Sequence, residues 1–307
     1  MTGGRLSVRQ FASPDSACHR GIHVFVYSPS IQFQRMISFP NAKINLGLNV
    51  INRRDDGFHN IETIFYPVQW CDVLEIIPDP AAKTRVQFKN TGIKIFSKDQ
   101  QNLCIRGYHL LAEKHDLPPV KMHLHKIIPV GAGLGGGSSD AASTIVMLNK
   151  LFNLKLTLEQ MEGYASQLGS DCAFFIRNKA LFASGKGDQF EDVKTDLKNY
   201  YISIIKPKVR VSTADAYSAI VPAKPTSGLK EKIKLPVAKW KDEINNDFEK
   251  TIFEKFTIIK NIKAKLYKNG AIYASMSGSG SAVYGIFKEE KKLDFSFRNC
   301  LVWNGKL

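Results

Sequence analysis

Residues 129–140 read Pro-Val-Gly-Ala-Gly-Leu-Gly-Gly-Gly-Ser-Ser-Asp, and this stretch decides the fold of the chain. Five of the seven residues from position 131 to position 137 are glycine, and each costs about 0.5–1 kcal/mol relative to alanine in regular structure. Such a run is tolerated where the backbone bends sharply or approaches a ligand. Ser138, Ser139 and Asp140 then begin a helix, so free backbone N–H groups face the enclosed space. The stretch therefore predicts an anion site with phosphate as the natural ligand, rather than a flexible linker.

The glycine stretch does not match the two commonest nucleotide loops. A P-loop ends in Gly-Lys-Ser/Thr, whereas Gly137 is followed by two serines and no lysine, which excludes the Walker type. The dinucleotide fingerprint G-x-G-x-x-G is present, but it also needs an acidic residue at the end of a second strand about 20 residues later. Glu159 lies near that distance, yet residues 158–161 are typical of the first turn of a helix. The context argues against a dinucleotide oxidoreductase.

Secondary structure follows from periodicity on both sides of this stretch. Alternating apolar and polar residues across 42–50 predict a half-buried strand on which Lys43 and Asn45 share one face. An alanine-rich helix is predicted over 141–152, and Thr157 is predicted to cap the next helix. Strands are also predicted at 61–70, 72–77, 86–88, 93–95, 120–124, 201–205 and on both sides of 277–281, and helices at 102–115, 248–260 and 262–268. Because strands and helices are intermixed, the predicted fold class is α+β.

Length and composition narrow the function classes. A chain of 307 residues favours two domains, and 44% hydrophobic residues are enough for a sizeable core. No apolar run approaches the ~20 residues of a membrane span, so no membrane association is expected. A net charge of +15 suits an enzyme of phosphate-bearing substrates or a solvated basic surface better than a nucleic-acid footprint. Five scattered cysteines predict reduced thiols without metal ligation.

Residues 1–35 differ from the rest of the chain. Arg5, Arg9, Arg20 and Arg35 are accompanied by Asp15 alone as an acid, with serine and proline scattered between them. We expect a disordered or non-native leader, such as a vector sequence or an upstream start codon. The alternative is an organelle transit peptide, since such segments are rich in arginine and serine and poor in acids.

Three motifs of the chain resemble those of the GHMP kinase superfamily and follow one another in the order that the family has. The pattern Pro-x-Gly-x-Gly-Leu-Gly-x-Gly-Ser-Ser followed by alanines resembles its phosphate loop, and residues 40–46 and 277–283 match its other two motifs. The resemblance covers nearly everything after Met36. It implies an N-terminal ATP-binding domain over 36–195, like the second domain of ribosomal protein S5, and a ferredoxin-like C-terminal domain over 196–307.

Within the superfamily, residues 54–59 and 168–175 resemble a branch that phosphorylates the 2-hydroxyl of a cytidine diphosphate conjugate of methylerythritol, a step of the non-mevalonate isoprenoid pathway. The resemblance implies ATP as co-substrate together with Mg²⁺, for which Ser139 is the candidate contact and no other protein ligand is expected. It also implies a small-molecule substrate, no nucleic acid, no membrane, and a monomer or homodimer. The expected compartment is the cytoplasm, or a plastid-type organelle if residues 1–35 are a transit peptide.

The resemblance also implies roles for individual residues. Lys43 and Asp171 are the expected catalytic pair, Asp171 as the base and Lys43 as the cation that stabilises the developing charge. The simpler alternatives are a solvated lysine and an ordinary helix N-cap. ATP is expected to contact the whole glycine stretch: Pro129, Val130, Gly131, Ala132, Gly133, Leu134, Gly135, Gly136, Gly137, Ser138 and Ser139. Ala132 replaces a glycine often found in the family, which would matter only if that position needs a positive φ.

Five residues are expected to bind the substrate: Asn45, Phe58, His59, Thr213 and Tyr217. The ring of Phe58 can stack on a base, and neutral imidazole at His59 can both donate to and accept from its edge. An exposed, idle histidine is the alternative. Two other functions remain open: a GHMP kinase of a different small alcohol, and a basic nucleic-acid-binding protein, since the pI is about 9.5.

Overall fold

The structure, a computed structural model, describes residues 24–26, 35–95, 101–218, 220–223, 225, 227–293 and 297–307. Its strands are β1 (Val24–Val26), β2 (Arg35–Ser38), β3 (Asn41–Arg53), β4 (His59–Cys71), β5 (Val73–Pro78), β6 (Val86–Gly92), β7 (Val120–Lys126), β8 (Leu181–Ser184), β9 (Gln189–Asp192), β10 (Tyr201–Pro207), β11 (Tyr273–Met276), β12 (Val283–Phe287) and β13 (Cys300–Lys306). Its helices are α1 (Leu103–Ala112), α2 (Gly136–Leu151), α3 (Leu158–Leu168), α4 (Cys172–Arg177), α5 (Thr213–Ser218), α6 (Leu229–Lys232), α7 (Trp240–Glu243), α8 (Phe248–Lys255) and α9 (Thr257–Lys268).

The strands form three sheets, ordered β1-β2-β5-β7-β6, β3-β4-β8-β9 and β11-β12-β10-β13. Neighbours are antiparallel except β6 and β7, which run parallel. The first sheet packs its core against α1, α2 and α3, while α8 and α9 cover a core beside the third sheet. A further core joins residues of the second and third sheets, so the two halves of the chain are packed together. Helices and strands are intermixed, which confirms the α+β prediction.

The long strand β3 lies between the two halves. Its residues from Asn41 to Leu48 are all buried, so the prediction of a half-buried strand is wrong. The polar face carrying Lys43 is covered because the glycine stretch packs beside it, and the backbone N–H of Lys43 donates to the Leu134 carbonyl at 2.9 Å. On the third sheet, the Tyr284 hydroxyl donates to the Asn45 carbonyl at 2.7 Å. The strand therefore places two polar side chains inside the molecule.

Several boundaries differ from the predictions. Residues 93–95 are not a strand, because β6 ends at Gly92, whose φ is +74° where the chain approaches Lys126. The break between the last two helices lies at Phe256 rather than after Lys260, since Phe256 leaves the helical conformation while packing against the core of the C-terminal half. The helix after Thr157 begins as predicted, with a capping box between Thr157 and Gln160.

Two expectations about the N-terminal region and the thiols are also corrected. Val24–Val26 pairs with β2, so the disorder predicted for residues 1–35 gives way to a strand there. The rest of that segment lies outside the described residues, except Arg35, which opens β2. Cys71 is disulfide-bonded, whereas Cys104 and Cys172 are buried free thiols and Cys300 is free as well. Among the described residues, no helix is long and apolar enough to cross a membrane.

Candidate active site

The glycine stretch forms a loop that leads into α2, as predicted, and the backbone explains its composition. Gly131, Gly133 and Gly135 have φ values of +64°, +78° and +70°, a region that side-chain-bearing residues rarely adopt. A Cβ at Gly133 would lie 1.9 Å from the carbonyl oxygen of Ser277, so this position has no room for a side chain. Ala132 has no positive φ, so replacing the family's glycine with alanine introduces no backbone strain.

Helix α2 begins at Gly136, slightly earlier than the sequence suggested. Gly135 precedes it in a left-handed conformation and supplies no side-chain cap. The N–H groups of the first turn therefore remain available to an anion, with the positive end of the helix dipole behind them. Ser139 is buried in this first turn.

A second glycine-containing loop, residues 277–281, packs directly on the first. The Ser277 hydroxyl donates to the Gly133 carbonyl at 2.8 Å, and the Ala282 N–H donates to the Ala132 carbonyl at 3.1 Å. Asn246 holds the far side of the second loop, because its Nδ2 donates to the carbonyls of Met276 and Gly278, each at 2.8 Å. The two loops therefore form one rigid unit between the halves of the chain.

Lys43 lies next to the first loop and contacts the predicted base. Its Nζ donates to Asn45 Oδ1 at 2.6 Å and lies 3.3 Å from Asp171 Oδ2. Asn45 is fixed in turn, since its Nδ2 donates to the Thr63 hydroxyl at 2.9 Å. The ammonium also lies 4.7 Å from the ring centre of Phe65. The predicted shared face of Lys43 and Asn45 is thus confirmed.

Burial and charge act in opposite directions on Lys43. Burial lowers the pKa of the ammonium, and the nearby Asp171 carboxylate partly opposes that effect. Asp171 stands at the N-cap position of α4, but its side chain makes no capping hydrogen bond. About a third of that side chain, 35%, is exposed. The carboxylate therefore faces Lys43 and open space, where a ligand can reach it, and does not act as a helix cap.

All seven residues predicted for catalysis and substrate binding line one cavity of about 1080 Å³. These are Lys43, Asn45, Phe58, His59, Asp171, Thr213 and Tyr217. Glycines from both loops complete the wall on the side of Lys43. Lys43 and Tyr217, 174 positions apart in the chain, thus meet at one site, as the resemblance implied.

Aromatic rings form another part of the cavity wall. His59 stacks on Tyr217 with ring centres 4.9 Å apart, and Tyr217 meets Phe248 edge to face at 4.8 Å. Burial, with a smaller effect from the charge of Asp171, raises the pKa of Tyr217 to about 12. Phe58 stands at the rim with 58% of its surface exposed. This part of the wall can accept a flat, polar-edged ring.

Sequence reasoning missed several residues that line this cavity. Lys186 lies 5.1 Å from the ring centre of Phe58, and Arg53 stands at the same rim. The Ser279 hydroxyl is 3.2 Å from the Thr213 hydroxyl. A lysine between two glycines is a weak local signal for a functional turn, whereas the apolar Phe248 gives none that separates it from a core residue.

A second cavity, of about 830 Å³, lies beside the other part of the glycine loop. Pro129, Val130 and Gly137 contribute from the loop, and Asn102 contributes from the N-cap of α1. The N-terminal half also contributes Lys94, Lys126 and Asp140, among others. The C-terminal half lines the opposite part of the wall with residues near the end of β10 and the start of β13: Lys206, Pro207, Lys208, Arg210, Asn299, Cys300 and Leu301. The glycine loop thus separates two cavities, and a ligand could extend across it from one to the other.

A buried ion cluster lies next to the glycine loop and supports it. Lys126 Nζ donates to Asp72 Oδ2 at 2.5 Å and to Asp140 Oδ2 at 2.7 Å. The remaining oxygen of Asp72 accepts the backbone N–H groups of Ile127 and Ile128 at 2.5 and 2.8 Å. Burial raises the pKa of Asp140 to about 7, and its Oδ1 has no hydrogen-bond partner within the described part of the chain.

Two family models match the chain: GHMP kinases N terminal domain over residues 102–179 and GHMP kinases C terminal over residues 236–297. A protein named 4-diphosphocytidyl-2-C-methyl-D-erythritol kinase from Parabacteroides distasonis is 49% identical over 276 residues, which is 89% of this chain and 100% of the relative. The protein of the same name from Cytophaga hutchinsonii is 52% identical over 253 residues, 82% of this chain and 92% of its own.

Solved structures agree with these matches. A crystal structure of 4-(cytidine 5'-diphospho)-2C-methyl-D-erythritol kinase superimposes with a TM-score of 0.71 at 29% identity, covering 88% of this chain and 98% of its own. Mevalonate kinase from Methanococcus jannaschii has a TM-score of 0.64 at 14% identity, covering 90% of this chain and 98% of its own. The latter likeness concerns the fold alone.

Proposed function

The chain belongs to the GHMP kinase family, and from this premise we propose that it is a 4-diphosphocytidyl-2-C-methyl-D-erythritol kinase of isoprenoid precursor synthesis. It transfers the γ-phosphoryl group of ATP to the 2-hydroxyl of the methylerythritol unit. The observation that carries the proposal is one cavity in which Lys43 and Asp171 stand 3.3 Å apart beside the glycine loop and whose wall also contains Phe58, His59 and Tyr217.

ATP binds across the glycine loop. The polyphosphate lies on the free N–H groups at the start of α2, and the γ-phosphoryl group points toward Lys43. The base and ribose occupy the second cavity, beyond Pro129 and Val130. This assignment gives each cavity one substrate and places the transferred group between them.

Asp171 and Lys43 carry out the chemistry. As the 2-hydroxyl oxygen forms its bond to the γ-phosphorus, its proton passes to Asp171 and the bond from phosphorus to the β-phosphate oxygen breaks. Lys43 stabilises the negative charge on the transferring group, and Asn45 holds the ammonium in place through the 2.6 Å hydrogen bond. Positioning and charge stabilisation of this kind supply most of the catalysis of phosphoryl transfer.

The aromatic part of the wall recognises cytosine. Phe58 and Tyr217 offer two ring faces for stacking, and His59 offers one donor and one acceptor for the edge of the base. Thr213 and Ser279 supply hydroxyls near the ribose. Lys186 and Arg53, at the rim, provide positive charge for the diphosphate of the conjugate.

Magnesium fits the site as an ion held mainly by the nucleotide. Among the described residues, no group of three or more His, Cys, Asp or Glu side chains could hold a metal. Mg²⁺ commonly keeps several waters and is bound largely through substrate phosphates, so Ser139, in the first turn of α2, would be sufficient as its protein contact. When bound, the ion neutralises charge on the β- and γ-phosphates.

The test is an ATP-consumption assay with a panel of alcohols at equal concentration. We expect turnover with the cytidine diphosphate conjugate of methylerythritol and none above background with mevalonate, homoserine or galactose. CMP and CTP should compete with the conjugate. Turnover of another alcohol without inhibition by cytidine nucleotides would favour a different GHMP kinase. RNA binding without ATP consumption would favour the nucleic-acid alternative.

The proposal also covers the compartment, the oligomeric state and the absence of a nucleic-acid partner. We expect a cytoplasmic monomer or homodimer that acts on a small molecule without nucleic acid. Sedimentation analysis and fractionation of cells measure the first two properties. An RNA titration at physiological salt measures the third, and salt-resistant binding would contradict it.

A further inference from the structure

A group of basic side chains lines the second cavity without acidic partners. Lys94, Lys206, Lys208 and Arg210 contribute to its wall, and none of them forms a salt bridge with an acid in the described part of the chain. Burial, and to a smaller extent the charge of Arg210, lowers the pKa of Lys206. The acid in this lining, Asp140, is already bonded to Lys126, so the four cations without acidic partners indicate an anionic ligand.

Residues 206–210, the basic segment, are fixed against the rest of the C-terminal half. Lys206 Nζ donates to the carbonyls of Pro207 and Val209 at 2.7 and 3.0 Å. The buried Ser281 hydroxyl of the second loop donates to the same Val209 carbonyl at 2.8 Å. These contacts hold the backbone of the segment, while Lys208 and Arg210 remain exposed. The two cations are therefore presented to the cavity from a rigid support.

We propose that Lys208 and Arg210 bind the α- and β-phosphates of the nucleotide from the C-terminal half. The inference deepens the proposed function and rests on it for the identity of the ligand. Lys43 lines the first cavity and serves the γ-phosphoryl group, whereas the glycine loop lacks the lysine of a P-loop. The cations of the basic segment supply the missing counter-charge. Arginine suits this role because its guanidinium can contact two phosphate oxygens at once.

The experiment compares the variants Lys208→Ala, Arg210→Ala and the double variant with the unchanged enzyme. The KM for ATP should rise about fivefold for each single change and about 25-fold for the double change. The reason is that the loss of one exposed charge contact weakens binding by about fivefold. The kcat and the KM for the alcohol should change less than twofold. Lys208→Arg should retain most of the ATP affinity, whereas Arg210→Lys should retain only part of it, because lysine cannot contact two phosphate oxygens at once. Lys255→Ala, an exposed lysine outside both cavities, is the matched control.

A nucleotide series distinguishes phosphate binding from a general disturbance of the cavity. In calorimetric titrations of the double variant, ADP should lose affinity by the same factor as ATP, whereas adenosine should bind unchanged. Equal losses for ADP and adenosine, or an unchanged affinity for ADP, would overturn the proposal. The ADP titration needs no acceptor alcohol. If the unchanged enzyme phosphorylates none of the alcohols, the proposed function fails while the role of Lys208 and Arg210 is still decided.

Discussion

Two lysines, one on each side of the glycine loop, are both buried, but their aspartate partners differ in exposure. Lys43 is 3% exposed and Lys126 is 1% exposed, and each contacts aspartate. Both partners of Lys126, Asp72 and Asp140, are buried as well, whereas 35% of the Asp171 side chain remains exposed beside Lys43. The accessibility of the carboxylate therefore separates the buried ion cluster of Lys126 from the pair that we propose to be catalytic.

The two environments also differ in their effect on the ammonium. Burial lowers the pKa of both lysines, but at Lys126 the two carboxylates outweigh it and the net pKa is raised. At Lys43 the single carboxylate does not outweigh burial, and the net pKa is lowered. A buried ammonium with one partly exposed carboxylate partner can still attract an incoming phosphate. The comparison predicts different consequences when each cluster is broken.

The largest effect is expected from Asp171→Asn. Removing the proposed proton acceptor should lower kcat by about 10²–10⁴-fold. The ATP affinity should change less than twofold, because the proposal places Asp171 at the acceptor hydroxyl rather than at the nucleotide. Steady-state kinetics and nucleotide titration measure the two quantities. Asp116→Asn, at an exposed position outside both cavities, is the control. An unchanged kcat would remove Asp171 from the role of base.

The next effect concerns stability. Lys126→Met leaves two buried carboxylates without their cation, and breaking such a buried ion cluster costs about 3–5 kcal/mol of unfolding free energy. Lys43→Met should cost less than half as much, since Asp171 can be hydrated, yet it should abolish most of the activity. Denaturant unfolding of both variants measures the difference. Equal destabilisation would show that the two clusters play the same part.

Asp140 gives the supporting cluster a pH dependence. Its pKa of about 7 exceeds its ordinary value of 3.8, so the native state binds more protons than the unfolded state between these values. The stability that protonated Asp140 contributes is fully present below about pH 4 and is lost as pH rises through about 7. Asp140→Asn should reduce the slope of the unfolding free energy against pH by at most ~1.4 kcal/mol per pH unit. Unfolding free energies of the nucleotide-free protein and of the variant, measured from pH 5 to pH 8, give the two slopes. Identical slopes would contradict the prediction.

A smaller effect is expected at the aromatic part of the cavity wall. His59→Ala should raise the KM for the cytidine conjugate about tenfold, the value of one or two lost hydrogen bonds. The KM for ATP should stay constant, because His59 lines only the first cavity. His109→Ala, on the exposed face of α1, provides the control. If both KM values rise equally, His59 supports the fold rather than the base.

Local patterns in the sequence were sufficient for much of the fold and the site. The glycine stretch, the period-two alternation around Lys43 and the cap at Thr157 each encode structure within a few residues. Contacts between distant segments were not readable in this way. Asn246 supports Gly278, 32 residues away, and nothing in its own neighbourhood indicates this. The burial of β3 likewise depends on the glycine stretch and on the third sheet, both of which are distant from it in sequence.

The most direct measurement is a crystal structure with a non-hydrolysable ATP analogue and the cytidine diphosphate conjugate bound together. The account predicts the triphosphate on the amides of residues 131–139, its terminal phosphate in contact with Lys43, and the 2-hydroxyl within hydrogen-bonding distance of Asp171. A triphosphate bound away from the glycine loop, or an acceptor hydroxyl far from Asp171, would contradict it.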